Sequence, residues 1–131
     1  MLSARIAILL CASAAGCVHQ PLGPDPMATR QAIDRAAAQV QACYRGPRVP
    51  FEARQIVTRL LVRFSIEGEP VGPPLVVRQE SLTPNNRAYA ATMARAAMEA
   101  VMRCAPFRLP PKLHSGGWEE FELTFSRRGV A

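Results

Sequence analysis

The sequence predicts an α+β domain in which two helices pack on one face of a three-stranded antiparallel sheet. Two segments carry apolar residues at three- and four-residue steps, as amphipathic helices do, and a third alternates apolar and polar residues with period two. The predicted elements follow in the order helix, strand, strand, helix, strand, without an internal repeat. Placing both helices over one face of a small sheet is the simplest way to bury their apolar sides.

The first helix is expected over residues 27–45. Its start is provided by Thr29 or by the Asp25–Pro26 step, and Gly46–Pro47 ends it because neither residue continues a helix well. Its apolar stripe consists of Ile33, Ala36, Ala37, Val40, Cys43 and Tyr44. Residues 48–53 are expected to form a loop.

The clearest strand is expected from Gln55 to Ile66. Its even-numbered residues are mainly apolar and are expected to face the core, whereas Arg59 and Arg63 lie on the opposite side. A turn containing Gly68 follows.

The second strand is expected over residues 71–80. Pro73 and Pro74 cannot donate ladder hydrogen bonds, so this strand is expected at an edge of the sheet.

An alanine-rich helix is expected over residues 87–104, and a last strand from Trp118 to Ser126. The apolar stripe of the helix consists of Tyr89, Met93, Ala96, Ala97, Ala100, Val101 and Cys104. A connection rich in proline and glycine separates the two elements. Phe121, Leu123 and Phe125 are expected to face the core from the last strand.

The N-terminus has the layout of a bacterial export signal. Arg5 precedes a short apolar segment (residues 6–12), and small residues then lead to Cys17. The apolar segment is shorter than the roughly 20 residues of a stable membrane span. The pattern resembles a lipoprotein signal over residues 1–16, so Cys17 would become the first mature residue and carry the lipid. In lipoproteins of this kind, a residue such as Val18 after the cysteine favours the outer membrane over the inner one.

Two other interpretations of this region stay open. Ala14 occupies the position where lipoprotein signals usually have leucine, and ordinary cleavage after it would release a soluble periplasmic protein. The third interpretation is a buried N-terminal helix. With an export signal, residues 17–26 are expected to be a proline-rich tether, residues 27–127 a single domain, and residues 128–131 a frayed tail.

The mature chain would be basic, with fifteen basic residues against ten acidic ones. A positive balance can serve nucleic-acid binding, but the arginines are scattered, no nucleic-acid-binding motif is present, and an export signal argues against that class. We therefore expect no nucleic-acid partner. We expect the arginines to form a solvated basic surface, which would be useful near anionic lipid or an acidic partner.

Two cysteines, Cys43 and Cys104, lie in the predicted domain. Exported thiols meet an oxidising compartment, so we expect them to form a disulfide that joins the ends of the two helices. The bond would close a loop of about 60 residues and stabilise the domain by roughly 3–4 kcal/mol. Two buried free thiols are the alternative. His19 and His114 have no spacing that pairs them with the cysteines as metal ligands, so no metal or cofactor is expected.

Four segments together resemble a known family. They are Gln41-Ala42-Cys43-Tyr44, the hairpin over residues 60–76 with its Gly68 turn and Gly72-Pro73-Pro74 step, Arg103-Cys104-Ala105-Pro106-Phe107-Arg108-Leu109-Pro110, and Trp118 preceding Phe121-Glu122-Leu123-Thr124-Phe125. In order and spacing they resemble the C-terminal domain of TolA and TonB, most closely the TolA-type domains of alphaproteobacteria. The resemblance covers about residues 27–127 and implies the helix and sheet arrangement given above.

The chain also departs from that family. TolA and TonB proteins, which transmit inner-membrane proton-motive energy to the outer membrane, have a transmembrane helix and a long periplasm-spanning segment. Here a tether of roughly ten residues would reach only about 30 Å. Tyr44 also stands where the family often has tryptophan. The resemblance therefore implies the fold, whereas the energy-transducing role is in doubt.

In the family that the chain resembles, partner segments pair with the last strand. Carried over, the partner-binding edge comprises Trp118, Glu119, Glu120, Phe121, Glu122, Leu123, Thr124 and Phe125. Trp118, Glu120 and Glu122 would face outwards and contact the partner. The alternatives are that Trp118 packs against the proline-rich loop and that the glutamates only solubilise the edge.

The function expected from this resemblance is a non-enzymatic, lipid-anchored interaction module of the cell envelope, located in the periplasm at the outer membrane. Its partner would be a periplasmic or outer-membrane protein of the Tol–Pal or TonB system. The alternatives are a regulator that competes with a full-length TolA or TonB protein, and a soluble periplasmic structural domain. An enzyme is not expected, since His114 beside Ser115 is weak support for a triad, whose members are assembled in space.

Overall fold

The computed structural model describes residues 23–131 as an α+β fold with a four-stranded antiparallel sheet. The expected signal peptide, Cys17 and most of the tether lie outside the described residues. The elements are α1 (Pro26–Cys43), α2 (Phe51–Arg54), β1 (Val57–Arg63), β2 (Leu75–Glu80), α3 (Ala90–Cys104), β3 (Glu120–Ser126) and β4 (Gly129–Val130). The strand order is β2-β1-β3-β4. The expected count of three strands and two helices was therefore too low by a short strand, β4, and a short helix, α2.

Helix α1 begins at the expected Asp25–Pro26 step and ends at Cys43, before the end expected at residue 45. The Asp25 side chain accepts a hydrogen bond from the Met27 amide (3.0 Å), which satisfies a donor at the helix start, and Pro26 occupies the first turn. After Cys43 the chain turns extended at Tyr44. The small buried residues Ala32, Ala36, Ala37 and Val40 let the helix pack closely on the sheet and on α3.

Strand β1 is the centre of the core. Its even-numbered residues are buried, as the period-two alternation predicts, and they include Leu60 and Val62, which are 0% and 1% exposed. The regular strand is shorter than expected because the chain turns just after Phe64. Ile66, expected to face the core, is 52% exposed in that turn.

The turn between β1 and β2 requires a glycine. Gly68 adopts a left-handed conformation (φ 82°), and its carbonyl accepts a hydrogen bond from the Phe107 amide (2.8 Å). A Cβ at this position would overlap the carbonyl oxygen of Phe107. The turn thus fixes the hairpin against the segment that follows α3.

Strand β2 lies at an edge of the sheet, as its prolines predict. It begins at Leu75 rather than near Val71, because the Gly72-Pro73-Pro74 step cannot supply the ladder donors. Its pairing with β1 shifts by one residue between Arg59 and Leu60, which marks a bulge.

The predicted alanine-rich helix forms a turn of 3-10 helix, Arg87–Tyr89, followed by α3. Its buried side includes Met93, Ala97 and Val101. Cys104 ends the helix with its Cα 5.6 Å from that of Cys43, which places the two sulfurs at disulfide distance. The pair joins the C-terminal ends of α1 and α3.

The C-terminal residues differ most from expectation. Strand β3 is an inner strand, because β4 pairs with its second half, and the tail expected to be frayed is part of the sheet. Gly129 has a positive φ (125°) that suits the tight turn between the two strands. The Val130 amide donates to the side-chain oxygen of Gln41 on α1 (2.6 Å), so the turn is also held from the helix layer.

Candidate functional site

Main-chain hydrogen bonds determine which sides of the sheet are open. On β1, Arg63 accepts a bond from Val71 on the β2 side (2.7 Å), whereas Phe64 donates to Glu119 on the β3 side (2.7 Å). In an antiparallel ladder, consecutive residues turn their polar groups to opposite sides. Odd-numbered residues of β1 therefore bond to β2, and even-numbered ones bond to β3.

The outer side of β2 presents free main-chain groups. Val76 lies opposite Leu60, and Gln79 lies opposite Thr58, two even-numbered positions of β1. The N–H and C=O groups of Val76 and Gln79 consequently point away from β1. Within residues 23–131, no strand pairs with this side of β2. Such a row of donors and acceptors is a template for another strand.

The side chains of β2 are apolar and exposed. Leu75, Val76 and Val77 are 60%, 42% and 45% exposed, respectively. The register shift places Val77 as an additional residue between the pairs formed by Val76 and Arg78. Charged side chains ordinarily keep an uncovered edge strand from pairing with other chains, and this apolar run lacks that protection.

A groove lies beside this edge on the helix side of the sheet. It has a volume of about 440 Å³ and an almost wholly apolar lining. Its walls are Pro73 and Pro74 before β2 and one side of α3, which carries the apolar stripe Ala91, Ala94, Met98 and Met102 and the charged residues Arg95 and Glu99. Met98 also packs against the core, and Met102 is 50% exposed. Alternate side chains of a strand added to β2 would point towards this groove.

The opposite side of the sheet was expected to be the partner-binding edge, and it is partly covered. Phe125 pairs with Val130 and Ser126 with Gly129. Thr124 and Ala131 exchange two main-chain bonds of 2.7 and 2.9 Å. In the described part of the chain, only residues 120–122 of β3 extend beyond this pairing, so the expectation of an open edge through Phe125 is wrong.

The uncovered half of β3 is acidic. By the same alternation, Glu120 and Glu122 turn their main-chain groups towards the open side. Glu120 binds Arg63 across the sheet (2.8 Å), and Glu119 accepts a bond from the Gly116 amide (3.1 Å). Phe121 and Leu123 are buried in the core, as predicted. The acidic side chains discourage a further strand from pairing here.

Trp118 does not face a partner. It is 0% exposed and lies before β3, where its indole N–H donates to the carbonyl of Pro110 (2.7 Å). The alternative interpretation, packing against the proline-rich loop, is therefore correct. A buried indole needs a hydrogen-bond acceptor for its N–H, and a carbonyl group of the proline-rich connection supplies one.

His114 has a structural contact. Its Nε2 lies 2.7 Å from the carbonyl oxygen of Phe64, and because a carbonyl only accepts, this nitrogen carries a proton. The ring also meets Trp118 edge-on, with centroids 4.6 Å apart. Within residues 23–131, no hydrogen bond joins His114 to Ser115.

Residues 23–131 contain neither a metal-binding cluster nor a membrane-spanning helix. No group of three or more histidine, cysteine or acidic side chains is placed to hold a metal ion. None of the described helices combines the length and apolar character needed to cross a membrane.

Comparisons with known proteins identify no relative. The chain matches no protein-family model, no curated protein and no solved structure. Resemblance to TolA and TonB domains thus stays a hypothesis, and the sheet edges themselves carry the functional argument.

Sequence reasoning missed the β2 edge and its groove. Two signals in the sequence point to them in hindsight. Leu75, Val76 and Val77 form an unbroken apolar run on a strand that prolines had already placed at an edge. Ala91, Ala94, Met98 and Met102 recur at three- and four-residue steps, as a second apolar stripe beside the core-facing one.

Proposed function

We propose that this protein is a cell-envelope interaction module that binds an extended segment of another protein by strand addition at β2. The observation that carries the proposal is the combination of free main-chain groups on Val76 and Gln79 with the exposed apolar run Leu75–Val77. Main-chain pairing would supply affinity, and the side chains of alternate partner residues would supply specificity.

The groove on α3 defines the chemistry of the partner segment. On one face, the added strand meets Met98 and Met102, so it carries apolar residues at alternate positions there. Methionine side chains adapt to different shapes, which suits a site that accepts several related sequences. The other face of the strand would continue the charged face of the sheet, where Arg59 and Arg78 both contact Glu80 at 3.2 Å.

The cellular setting of the proposal comes from the sequence. The resemblance of residues 1–17 to a lipoprotein signal supports a position at the outer membrane, facing the periplasm. The resemblance to TolA and TonB C-terminal domains makes a Tol–Pal or TonB-system protein the first partner to test. Regulation by competition with a full-length TolA or TonB protein is the second candidate, because the chain resembles their partner-binding domain.

Site-specific photocross-linking in living cells tests the proposal. A photoreactive residue is introduced at Val77 on β2 or at Glu120 on β3, and the adducts are identified by mass spectrometry. We expect a stronger adduct from Val77 than from Glu120, with the cross-link falling in an extended, alternately apolar segment of the partner. Adducts from Glu120 alone would move the site to β3 and overturn the assignment to β2.

A synthetic peptide of the cross-linked segment then tests the binding mode. N-methylation of every second amide removes donors from one side of the strand only, so one of the two methylated registers should lose binding and the other should keep it. Equal affinity of both methylated peptides would exclude strand addition. Light scattering of the purified domain identifies the remaining case, pairing of β2 with a second copy, which would also overturn the proposal.

A further inference from the structure

A second cavity lies away from β2, the edge proposed for partner binding, and no residue of that strand lines it. It has a volume of about 220 Å³ and lies between the end of α1, the short helix α2 and the ends of β1 and β3. Ile56, Met93 and Phe125 form an apolar floor. For comparison, an engineered apolar cavity of about 150 Å³ is large enough to hold benzene.

Two arginines line this cavity. Arg54 and Arg127 both belong to its lining, and the guanidinium carbon of each lies 5.8 Å from the centre of the Phe51 ring. Arg54 is at the end of α2 and Arg127 is in the turn after β3. The fold thus brings two positive charges together from segments far apart in sequence.

No carboxylate neutralises these charges. Within residues 23–131, neither Arg54 nor Arg127 has a carboxylate oxygen within 4.0 Å. Residues 1–22 contain no acidic residue at all. The adjoining segments add Arg45, Arg48 and Arg128 but only one acidic residue, Glu52. Two like charges that line one cavity without a carboxylate partner are stabilised by a bound anion.

Tyr44 completes the rim of the cavity. Burial raises the pKa of its phenol, so the group stays protonated over the physiological range and does not add a negative charge. A neutral phenol can donate a hydrogen bond to an anion.

We infer that this cavity binds a small anionic amphiphile, with its carboxylate, phosphate or sulfate group against Arg54 and Arg127 and its alkyl or aromatic body on the floor of Ile56, Met93 and Phe125. The guanidinium groups match oxyanions because each presents several N–H donors in a plane. A fatty acid fragment, an organic phosphate and a phospholipid share this chemistry.

Titration of the ¹⁵N-labelled protein with octyl phosphate, octanoate and octanol, followed by amide chemical shifts, tests the inference. The two anions are expected to shift amides around the cavity, including those of Tyr44 and Phe125, whereas neutral octanol is expected to bind at least about tenfold more weakly, since a tenfold loss corresponds to one charge-assisted contact. Equal binding of octanol would overturn the inference, as would shifts that map elsewhere.

A pair of double variants provides the matched control. Arg54→Gln with Arg127→Gln removes the two cavity charges, and Arg30→Gln with Arg35→Gln removes the same net charge from the exposed side of α1. The cavity variant should weaken octyl phosphate binding by about tenfold or more, and the α1 variant by less than about twofold. All four arginines are exposed, so both variants are expected to fold, and a melting curve checks this. Equal weakening in both variants would contradict the assignment.

Vesicles separate the sources of the anion. Binding of both octyl phosphate and phosphatidylglycerol vesicles, with both lost in the cavity variant, means that the site takes lipid head groups. Binding of octyl phosphate alone means that it takes a free ligand. Vesicle binding without any octyl phosphate binding would overturn the inference, because diffuse attraction by the arginines would then be sufficient.

Discussion

The two sides of the sheet differ in cover and in chemistry. At β2, the apolar run Leu75–Val77 is exposed beside free main-chain groups. On the β3 side, β4 covers the residues from Thr124 onwards, and Glu120 and Glu122 occupy the half that stays open. One side carries the usual protection against pairing with another strand, and the other side lacks it.

The difference in protection between the two sides indicates where a partner would bind. Charged side chains and a short covering strand are two common ways to keep an edge from recruiting other chains, and the β3 side has both. The β2 side has an apolar strand and an apolar groove instead, at the position where a domain without a partner would risk aggregation. The edge that looks least protected is therefore the better candidate for a binding surface.

The largest expected effect comes from the bond that joins the two sides. Cys43 and Cys104 link α1, which holds β4 through Gln41, to α3, which forms the wall of the β2 groove. Reduction should lower the unfolding free energy by roughly 3–4 kcal/mol, because the unfolded chain regains the freedom of a long loop. The melting temperature should fall by more than about 10 °C, measured by circular dichroism with and without reductant.

A Cys43→Ser, Cys104→Ser double variant serves as the control for reduction. It should melt at the same lowered temperature and show no further change with reductant. A melting temperature that reduction leaves unchanged would show that the pair is unbonded or makes no contribution to stability. Loss of structure at one side of the sheet alone, detected by hydrogen exchange, would show that the two sides are stabilised separately.

Proline substitutions at the two edges give the next largest effect. Val76→Pro and Glu122→Pro each remove one outward-pointing N–H without removing a ladder bond, because neither residue bonds to β1. Val76→Pro should weaken binding of the partner peptide by about tenfold, from one lost hydrogen bond and the bulk of the ring. Glu122→Pro should change it by less than about twofold. Titration calorimetry measures both, and a greater loss at Glu122 would reverse the comparison.

A smaller effect is expected where α1 holds β4. Gln41→Ala removes the acceptor of the Val130 amide and should cost about 1 kcal/mol, confined to the end of the sheet. Amide exchange of Thr124 and Ala131, which bond to each other, should accelerate several-fold by NMR. Gln39→Ala is the matched control, because that side chain donates instead to the carbonyls of Cys104, at the end of α3, and Pro106.

The Gln41→Ala variant also tests whether the edge of β3 can bind a partner. Loss of Gln41 should free β4 and lengthen the open edge of β3, so cross-linking from Glu120 should rise if that edge has any affinity for the partner. Unchanged exchange of Thr124 would show that β4 is held by the main-chain pairing alone.

Local patterns in the sequence were sufficient to predict much of the fold. Period-two burial identified β1, and cap residues and apolar stripes identified α1 and α3. The prolines before β2 identified an edge strand because the absence of an N–H has the same consequence in any fold. The cysteine positions also agree with the expected pairing, since both lie at helix ends that meet.

The features that the sequence patterns did not predict depend on contacts between distant segments. Trp118 continues the alternation of β3, but its indole finds an acceptor on Pro110, and this contact removes it from the strand. Strand β4 is too short to leave a pattern, and it forms because Gln41 and Thr124 supply partners from elsewhere. The edge of β3 was expected to be open for the same reason, since its cover by β4 depends on tertiary contacts.

The smallest expected effects come from the charges on the exposed face of the sheet. Glu80 lies 3.2 Å from both Arg59 and Arg78, which face each other in the register of β1 and β2. Glu120 contacts one arginine, Arg63. Glu80→Gln should therefore cost about 0.5–1 kcal/mol, because it also leaves two like charges opposite each other, whereas Glu120→Gln should cost only about 0.2–0.5 kcal/mol.

Urea unfolding at low and at high salt measures this difference. Both costs should shrink in 1 M salt, where charges are screened beyond about 3 Å. A larger cost at Glu120 would mean that its pairing with Arg63 contributes more to the sheet than its exposure indicates. The acidic half of β3 would then be a structural element of the sheet, and the contrast between a protected edge and an open one would rest on the cover by β4 alone.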